Sequence, residues 1–274
     1  MKRSGPIGVF DSGYGGLTIL SELRKVLPQY DFLYLGDNAR SPYGTRSFDV
    51  VYNYTLEAVN ELFSRDCPLV ILACNTASAK ALRTIQQQDL PKINSDKRVL
   101  GVIRPSAEVI GQITNSQHVG ILATEGTVRS ESYLLELAKF APHIKVFQHA
   151  CPMWVPIIEN QKHLTEAGKL FIQEDVQQLL EQNELIDTIL LGCTHYPLIA
   201  QYLKSILPSK IQLIAQGPIV ADKLKDYLLR HSELEKLCTK KSSVTYLTTE
   251  NSIEFDRKAT FFIGERVESI HVKI

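Results

Sequence analysis

Cysteine is scarce in this sequence, and no two cysteines are spaced as C-x-x-C. The 274 residues include five cysteines, an odd number. A disulfide framework needs paired cysteines, so we expect free thiols, which are typical of a reducing compartment. The missing C-x-x-C also argues against a zinc knuckle. The cysteine pattern therefore predicts a cytoplasmic protein that has no disulfide scaffold.

The sequence also lacks an excess of charge of either sign and any long apolar run. Lys plus Arg and Asp plus Glu number 30 each, so the formal net charge is zero. Nucleic acids and anionic membranes attract basic proteins, so we expect neither as a partner. The first apolar run, residues 7–10, is shorter than the roughly 7–15 residues of a secretory signal core. No run approaches the ~20 residues of a membrane span.

The usual glycine motifs for nucleotides are missing as well. A G-x-G-x-x-G motif that started at Gly13 would need glycine at position 18, which is Thr18, and no Walker A sequence occurs. The glycine-rich turn 11–16 still places backbone N–H groups at a helix start, where an anion such as a carboxylate can bind. The alternative is a purely structural turn that Asp11 or Ser12 caps.

Short apolar runs alternate with segments of helical period along the chain. Leu17, Leu20, Leu23 and Leu27 show the helical spacing. Continuous apolar runs are typical of strands that are covered on both faces, and the alternation predicts an α/β fold with mostly parallel sheets. Ligands bind such sheets beyond the carboxyl ends of the strands. The strand-like runs are residues 7–10, 32–35, 69–73, 99–103, 119–123, 146–149, 189–191 and 211–214.

The chain contains two related halves. Residues 7–13 align with 119–125, and residues 69–76 align with 188–195, which places Cys74 and Cys193 at equivalent points. We therefore predict two facing, pseudo-symmetric α/β domains with the active site in the cleft between them. The predicted domains are residues 1–97 with 215–274, and residues 98–214. The expected crossovers lie near residues 94–97 and 216–218.

Cys74 and Cys193 each follow a predicted strand and precede a helical segment. The partial positive charge of a helix start should lower the pKa of the Cys74 thiol below its ordinary value of about 8.5. His195 lies two residues after Cys193 and could accept or relay its proton. Either cysteine alone could be a packed apolar residue, as we expect for Cys67, Cys151 and Cys238. Together they suit a reaction in which each face of a planar intermediate meets its own acid or base.

Two other chemistries use the same residues. Zinc accepts ligands such as Cys74, Cys193 and His195, although their spacing does not favour a metal site. A Cys–His hydrolase would use one thiol as its nucleophile, which leaves the second cysteine unexplained. Glu159 follows an apolar segment and is either a helix cap or an acid with a shifted pKa.

Six segments together resemble the glutamate racemase family, the cofactor-independent amino-acid racemases of bacterial cell-wall synthesis. They occur in the family's order between about residues 7 and 200. Arg104, Trp154 and the stretch 216–218 depart from the usual pattern, which leaves the fine shape of the cleft and any effector site open. The segments are DSGYGGL at 11–17, LGD and SPYGTRS within 35–47, ACNTASA at 73–79, ATEGTVRSESY at 123–133, CPMWVPIIE at 151–159 and LGCTHYP at 191–197.

The resemblance implies a role for individual residues. Cys74 would deprotonate D-glutamate and Cys193 would deprotonate L-glutamate, each returning a proton on its own side. Asp11 and His195 would be auxiliary acid–base groups, and Glu159 a supporting carboxylate. The implied substrate-binding residues are Asp11, Ser12, Pro42, Tyr43, Gly44, Cys74, Asn75, Thr76, Cys193, Thr194 and His195.

The resemblance also implies glutamate as the small-molecule substrate, no cofactor, no metal and a homodimer. D-glutamate would then be supplied to peptidoglycan. The alternatives are a racemase of another acidic amino acid such as aspartate, a non-catalytic amino-acid-binding protein of the same fold, and a Cys–His amidohydrolase.

Overall fold

The computed structural model describes residues 3–274, which form two parallel β-sheets flanked by helices. The apolar runs of the sequence become short buried strands. The strands are β1 (Ile7–Asp11), β2 (Phe32–Gly36), β3 (Leu69–Leu72), β4 (Arg98–Gly101), β5 (His118–Ala123), β6 (Lys145–Ala150), β7 (Thr188–Gly192), β8 (Gln212–Ala215), β9 (Val244–Thr248) and β10 (Ser269–His271).

Helices connect most of these strands. They are α1 (Gly16–Val26), α2 (Phe48–Ser64), α3 (Asn75–Lys80), α4 (Leu82–Thr84), α5 (Leu90–Ile93), α6 (Ile103–Ile113), α7 (Glu125–Arg129), α8 (Ser132–Phe140), α9 (Trp154–Glu159), α10 (Glu166–Glu181), α11 (Ala200–Ile206), α12 (Gln216–Arg230), α13 (Ser232–Glu235) and α14 (Ser252–Ile263). Among residues 3–274, no helix has both the length and the apolar character that a membrane span needs.

The two sheets share one strand order, which confirms the α/β fold with two pseudo-symmetric halves. The first sheet runs β10-β9-β2-β1-β3-β4, and the second runs β6-β5-β7-β8. The order β2-β1-β3-β4 therefore repeats as β6-β5-β7-β8. All the strand pairings within these sheets are parallel. Cys74 follows β3 and Cys193 follows β7, so the repeat places the two cysteines at corresponding strand ends.

Burial on both faces explains why the strands read as continuous apolar runs. In β1, Ile7 and Val9 belong to one apolar cluster, whereas Phe10 belongs to another. Successive side chains of a strand point to opposite faces, so helices must cover both faces of this sheet. On α1, the predicted leucines 17, 20 and 23 are buried, and this helix packs against α12.

The structure corrects the expected strand at residues 99–103 and the first crossover. β4 ends at Gly101, and α6 begins at Ile103. Pro105 lies in the first turn of α6, where its missing N–H costs no helical hydrogen bond. β4 pairs with β3, so residues 98–101 belong to the first sheet. The chain therefore enters the second half after Gly101, not at residues 94–97.

The chain returns to the first sheet at its C-terminal end. α12 begins at Gln216, directly after β8, and β9 and β10 then extend the first sheet beside β2. Neither strand has a counterpart among the strand-like runs of the sequence. The segments that form the site follow the carboxyl ends of β1, β2 and β3 in one half, and of β5, β6 and β7 in the other.

Candidate active site

Cys74 lies at the first strand–helix junction of the site and is buried. Its Sγ lies 3.4 Å from Ser12 Oγ and accepts a hydrogen bond from the Ala77 backbone N–H at 3.5 Å. Burial raises the pKa of the Cys74 thiol to about 12, and the nearby Asp11 carboxylate acts in the same direction. The expectation of a lowered pKa is therefore wrong, because desolvation outweighs the partial charge of the short helix α3.

Cys193 faces a histidine–carboxylate pair instead. Its Sγ lies 3.9 Å from His195 Nδ1, and His195 Nε2 lies 2.9 Å from Glu159 Oε1. Burial acts to lower the pKa of His195, but the contacts with Cys193 and Glu159 outweigh it and raise this pKa to about 10. The protonated imidazolium is therefore favoured at neutral pH, and it places a positive charge beside the Cys193 sulfur.

Asp11 links the two halves behind the site. This last residue of β1 is 1% exposed. Its Oδ2 accepts a hydrogen bond from the Gly13 N–H at 2.9 Å, and its Oδ1 accepts one from the Thr194 hydroxyl at 3.4 Å. Burial raises the pKa of the Asp11 carboxyl, while the charge of His195 acts in the opposite direction. Asp11 thus joins the glycine-rich turn of one half to the cysteine loop of the other.

One cavity brings together most of the predicted site residues. It has a volume of about 80 Å³, several times the roughly 10–15 Å³ that one water molecule needs. Asp11 and Glu159 lie behind this cavity and are absent from its lining. The predicted residues that line it are Ser12, Pro42, Tyr43, Gly44, Cys74, Asn75, Thr76, Cys193, Thr194 and His195.

Sequence reasoning missed several residues that line the same cavity. Thr124 is the clearest, because its hydroxyl oxygen lies 3.0 Å from that of Thr76. A signal for it was available: the alignment of residues 7–13 with 119–125 places Thr124 at the position of Ser12. The other missed lining residues are Ser41, Thr45, Glu125, Pro152, Val155 and Pro156.

The loop after β2 is fixed over the cavity by buried polar contacts. The Tyr43 hydroxyl donates to the buried Asp37 carboxylate, which also accepts hydrogen bonds from Arg40 Nε at 2.7 Å and Thr249 Oγ1 at 2.8 Å. The Gly44 carbonyl accepts a hydrogen bond from the Gly126 N–H at 2.8 Å. These contacts hold the loop in place where it lines the cavity, and the Gly44 contact joins it to the second half.

The zinc alternative is not supported by the arrangement of side chains. Among residues 3–274, the ligating side chains that lie close enough together to share one ion are His149, Cys151 and Asp175. That group does not include Cys74, Cys193 or His195. The two cavity thiols instead lie beside unlike partners, a serine hydroxyl and an imidazole. This arrangement suits two separate proton transfers to a small polar ligand.

The chain matches the family described as Asp/Glu/hydantoin racemase over residues 18–224. It is also 36% identical over 266 residues to the glutamate racemase of Geobacter metallireducens, covering 97% of this chain and 95% of that one. The chain belongs to this racemase family. The glutamate racemase resemblance of the sequence is thereby confirmed.

Solved structures of family members have the same fold. A glutamate racemase from Bacillus anthracis, isoform RacE1, superposes with a TM-score of 0.89 at 32% identity, covering 100% of this chain and 99% of that one. The glutamate racemase from Francisella tularensis, solved in complex with D-glutamate, gives a TM-score of 0.84 at 31% identity, covering 100% and 97%. The two-sheet architecture is therefore shared with these two glutamate racemases.

Proposed function

We propose that this protein interconverts L- and D-glutamate through two cysteine thiols. The observation that carries the proposal is the pair of thiols from matched positions of the two halves, which line one cavity. A base that removes the α-proton from one enantiomer must be matched by an acid on the opposite face of the α-carbon. Two fixed thiols meet this requirement without moving a base around the substrate.

Each turnover transfers two protons and leaves no net change in the number of bound protons. The thiolate of one cysteine takes the α-proton, so the C–H bond breaks and an S–H bond forms. The thiol of the other cysteine then donates its proton to the opposite face of the carbanion. The new C–H bond has inverted configuration, and the two sulfurs have exchanged protonation states. The reverse reaction uses the same steps in the opposite order.

The α-proton of an amino acid is a weak acid, so the site has to stabilise the carbanion. Hydroxyl and amide groups of Ser12, Asn75, Thr76 and Thr194 line the cavity. Donors of this kind can bind the substrate carboxylate, on which negative charge accumulates as the α-proton leaves. A buried site strengthens such interactions because competing water is excluded.

The two thiols would be activated by different charges. His195 is favoured as an imidazolium and places a positive charge beside the Cys193 sulfur. Burial raises the pKa of Cys74 to about 12, so this thiol needs a positive charge that the substrate can bring. The α-ammonium group of a bound amino acid provides one, and a nearby cation lowers the pKa of a thiol. Asp11 and Glu159 would act through their neighbours Thr194 and His195.

Glutamate is favoured as substrate over aspartate and other acidic amino acids. The relative from Geobacter metallireducens is a glutamate racemase, and the structure from Francisella tularensis contains D-glutamate. Relative rates on glutamate and aspartate separate these substrates. A protein that only binds amino acids would bind glutamate without exchanging its α-proton, and an amidohydrolase would release ammonia from glutamine.

The deciding experiment follows the α-proton signal of L-glutamate by NMR in D₂O, with a chelator and no added cofactor. The optical rotation is recorded on the same sample. We expect the signal to disappear while the rotation decays to zero. An unchanged signal with folded protein would contradict the proposal.

The cellular setting belongs to the same proposal. All five cysteines are free and buried, which suits a reducing cytoplasm. The D-glutamate produced there would enter peptidoglycan, and the active form would be a homodimer. Light scattering on the purified protein tests the dimer, and a mass equal to one chain would contradict it.

A further inference from the structure

Gln216 is a buried amide that contacts the site from the start of α12. The residue is 2% exposed, and every polar atom of its side chain has a partner. Its Oε1 accepts a hydrogen bond from Asn75 Nδ2 at 2.7 Å. Its Nε2 donates to the Tyr133 hydroxyl at 2.7 Å and to Ser106 Oγ at 2.9 Å, and lies 3.1 Å from the Val102 carbonyl. A buried amide satisfied in this way has one fixed orientation.

Asn75, Gln216 and Tyr133 close a ring of three hydrogen bonds. Asn75 donates to Gln216, Gln216 donates to Tyr133, and the Tyr133 hydroxyl donates to Asn75 Oδ1 at 2.7 Å. Each member gives one hydrogen bond and receives one, and the Val102 carbonyl beside Gln216 Nε2 can only accept, so this carbonyl sets the direction of the whole ring. Reversing any amide would place two donors or two acceptors against each other in a buried environment, which is costly.

The ring determines which group Asn75 presents to the cavity. Asn75 Oδ1 is occupied by Tyr133, and one N–H of Nδ2 is occupied by Gln216. The second N–H of Nδ2 is outside the ring, and Asn75 lines the cavity. Asn75 therefore offers a hydrogen-bond donor there and not a carbonyl oxygen. A donor attracts a carboxylate, whereas a carbonyl oxygen would repel it.

The ring also connects both halves of the fold at the crossovers. Asn75 begins α3 in the first half, and Tyr133 lies on α8 in the second half. Gln216 directly follows β8, the last strand of the second half. Its contact Val102 directly follows β4, the strand after which the chain leaves the first half. The orientation of the Asn75 amide is thus coupled to the way the halves meet.

We propose that Gln216 and Tyr133 are positioning residues that hold the Asn75 amide as a donor to a substrate carboxylate. This inference rests on the proposed racemase function. The carboxylate is already charged in the bound substrate, and its negative charge grows as the α-proton leaves. Loss of the contact therefore raises KM and also lowers kcat, so that kcat/KM falls.

The test uses Gln216→Met and Tyr133→Phe, which remove hydrogen-bonding atoms while keeping most of the side-chain volume. We expect each to lower kcat/KM for L- and D-glutamate about tenfold, the effect of losing roughly 1.4 kcal/mol of transition-state stabilisation. The matched controls are Gln86→Met and Tyr52→Phe. Gln86 donates to the Val99 carbonyl at 2.7 Å, and Tyr52 donates to Asp89 at 2.8 Å, both outside the cavity lining.

A double-mutant cycle with Asn75→Ala separates positioning from general destabilisation. If Gln216 acts through Asn75, Gln216→Met lowers the kcat/KM of Asn75→Ala by less than about a further twofold. An equal fall in kcat/KM with and without Asn75 would overturn the inference, as would an unchanged kcat/KM in Gln216→Met. Should that variant fail to fold, Tyr133→Phe in the same cycle decides the question. A wild-type protein without α-proton exchange would instead overturn the racemase function, and this inference with it.

Discussion

His195 and Glu159 meet through a 2.9 Å contact between Nε2 and Oε1. This contact orients the imidazole so that its other nitrogen, Nδ1, faces the Cys193 sulfur at 3.9 Å. A carboxylate that binds the far side of an imidazole fixes its orientation and stabilises its charged form. Glu159 therefore acts on the reaction through His195.

The Glu159 carboxylate should make stability depend on pH. The His195 pKa is raised from 6.5 to about 10 in the folded protein. Because this pKa is raised, the folded state binds more protons than the unfolded state between pH 6.5 and 10. The stability that the protonated His195 contributes is therefore fully present below pH 6.5 and is lost as the pH rises through 10. We expect the free energy of unfolding to fall from pH 7 to 9, and to fall less steeply in Glu159→Gln.

Urea unfolding at several pH values measures this slope. Glu184→Gln, at an exposed glutamate, is the control and should keep the wild-type slope. An identical slope in Glu159→Gln and wild type would show that Glu159 does not hold the proton on His195.

Each cavity thiol should be indispensable. Replacing Cys74 or Cys193 by Ala leaves one face of the α-carbon without an acid or base, so we expect either variant to lower the racemization rate by at least about 10³. The α-proton exchange and optical rotation assay measures the loss, and circular dichroism checks the fold. Cys67→Ala and Cys238→Ala, outside the cavity lining, are the controls. Near-normal racemization by either cavity variant would refute the two-thiol mechanism.

At Gly15 the glycine-rich turn packs directly against the cysteine loop of the second half, so a larger residue there should disturb the site. A Cβ at this position would overlap Thr194 Oγ1 and His195 Nδ1. Gly15→Ala should displace the imidazole from Cys193 and lower kcat by about 10² or more. In Gly13→Ala the new Cβ would lie 3.1 Å from Ser41 Oγ, which can rotate away, so the loss should be much smaller. Equal activities of the two variants would contradict this account.

Asp37 should be a strong contributor to stability. Its buried carboxylate binds Tyr43, Arg40 and Thr249 together. Asp37→Ala leaves these donors without their acceptor, and we expect it to lower the free energy of unfolding by roughly 3–5 kcal/mol. Urea unfolding measures the change, and Asp226→Asn on the exposed face of α12 should stay within about 0.5 kcal/mol of wild type. A loss below 1 kcal/mol for Asp37→Ala would show that the loop does not depend on this anchor.

Local sequence patterns were sufficient for the two halves, and the family resemblance supplied most of the cavity lining. The strand before Cys74 is apolar throughout, and the strand before Cys193 is apolar after Thr188. Polar residues follow soon after the end of each, so both the strand and its functional end are visible in sequence. β9 was missed because two threonines interrupt its apolar residues, and β10 was missed because it has three residues. The end of β4 was misplaced because its apolar run continues into the first turn of α6.

Properties that depend on tertiary packing could not be predicted in this way. The pKa of Cys74 depends on how completely the folded protein buries it, and a helix start predicts the opposite shift. Gln216 and Asn75 are 141 residues apart in the chain, so their hydrogen bond leaves no local pattern. The roles of the individual site residues remain predictions that the substitutions above test.

The unlike surroundings of Cys74 and Cys193 have a thermodynamic consequence. Free L- and D-glutamate are mirror images and have equal free energies, and both directions of the reaction pass through the same transition state. The value of kcat/KM must therefore be the same in both directions, whatever the difference between the thiols. The asymmetry of the site can change how tightly each enantiomer is held and how fast the bound form reacts. It cannot decide which enantiomer accumulates, which is set by whatever consumes the product.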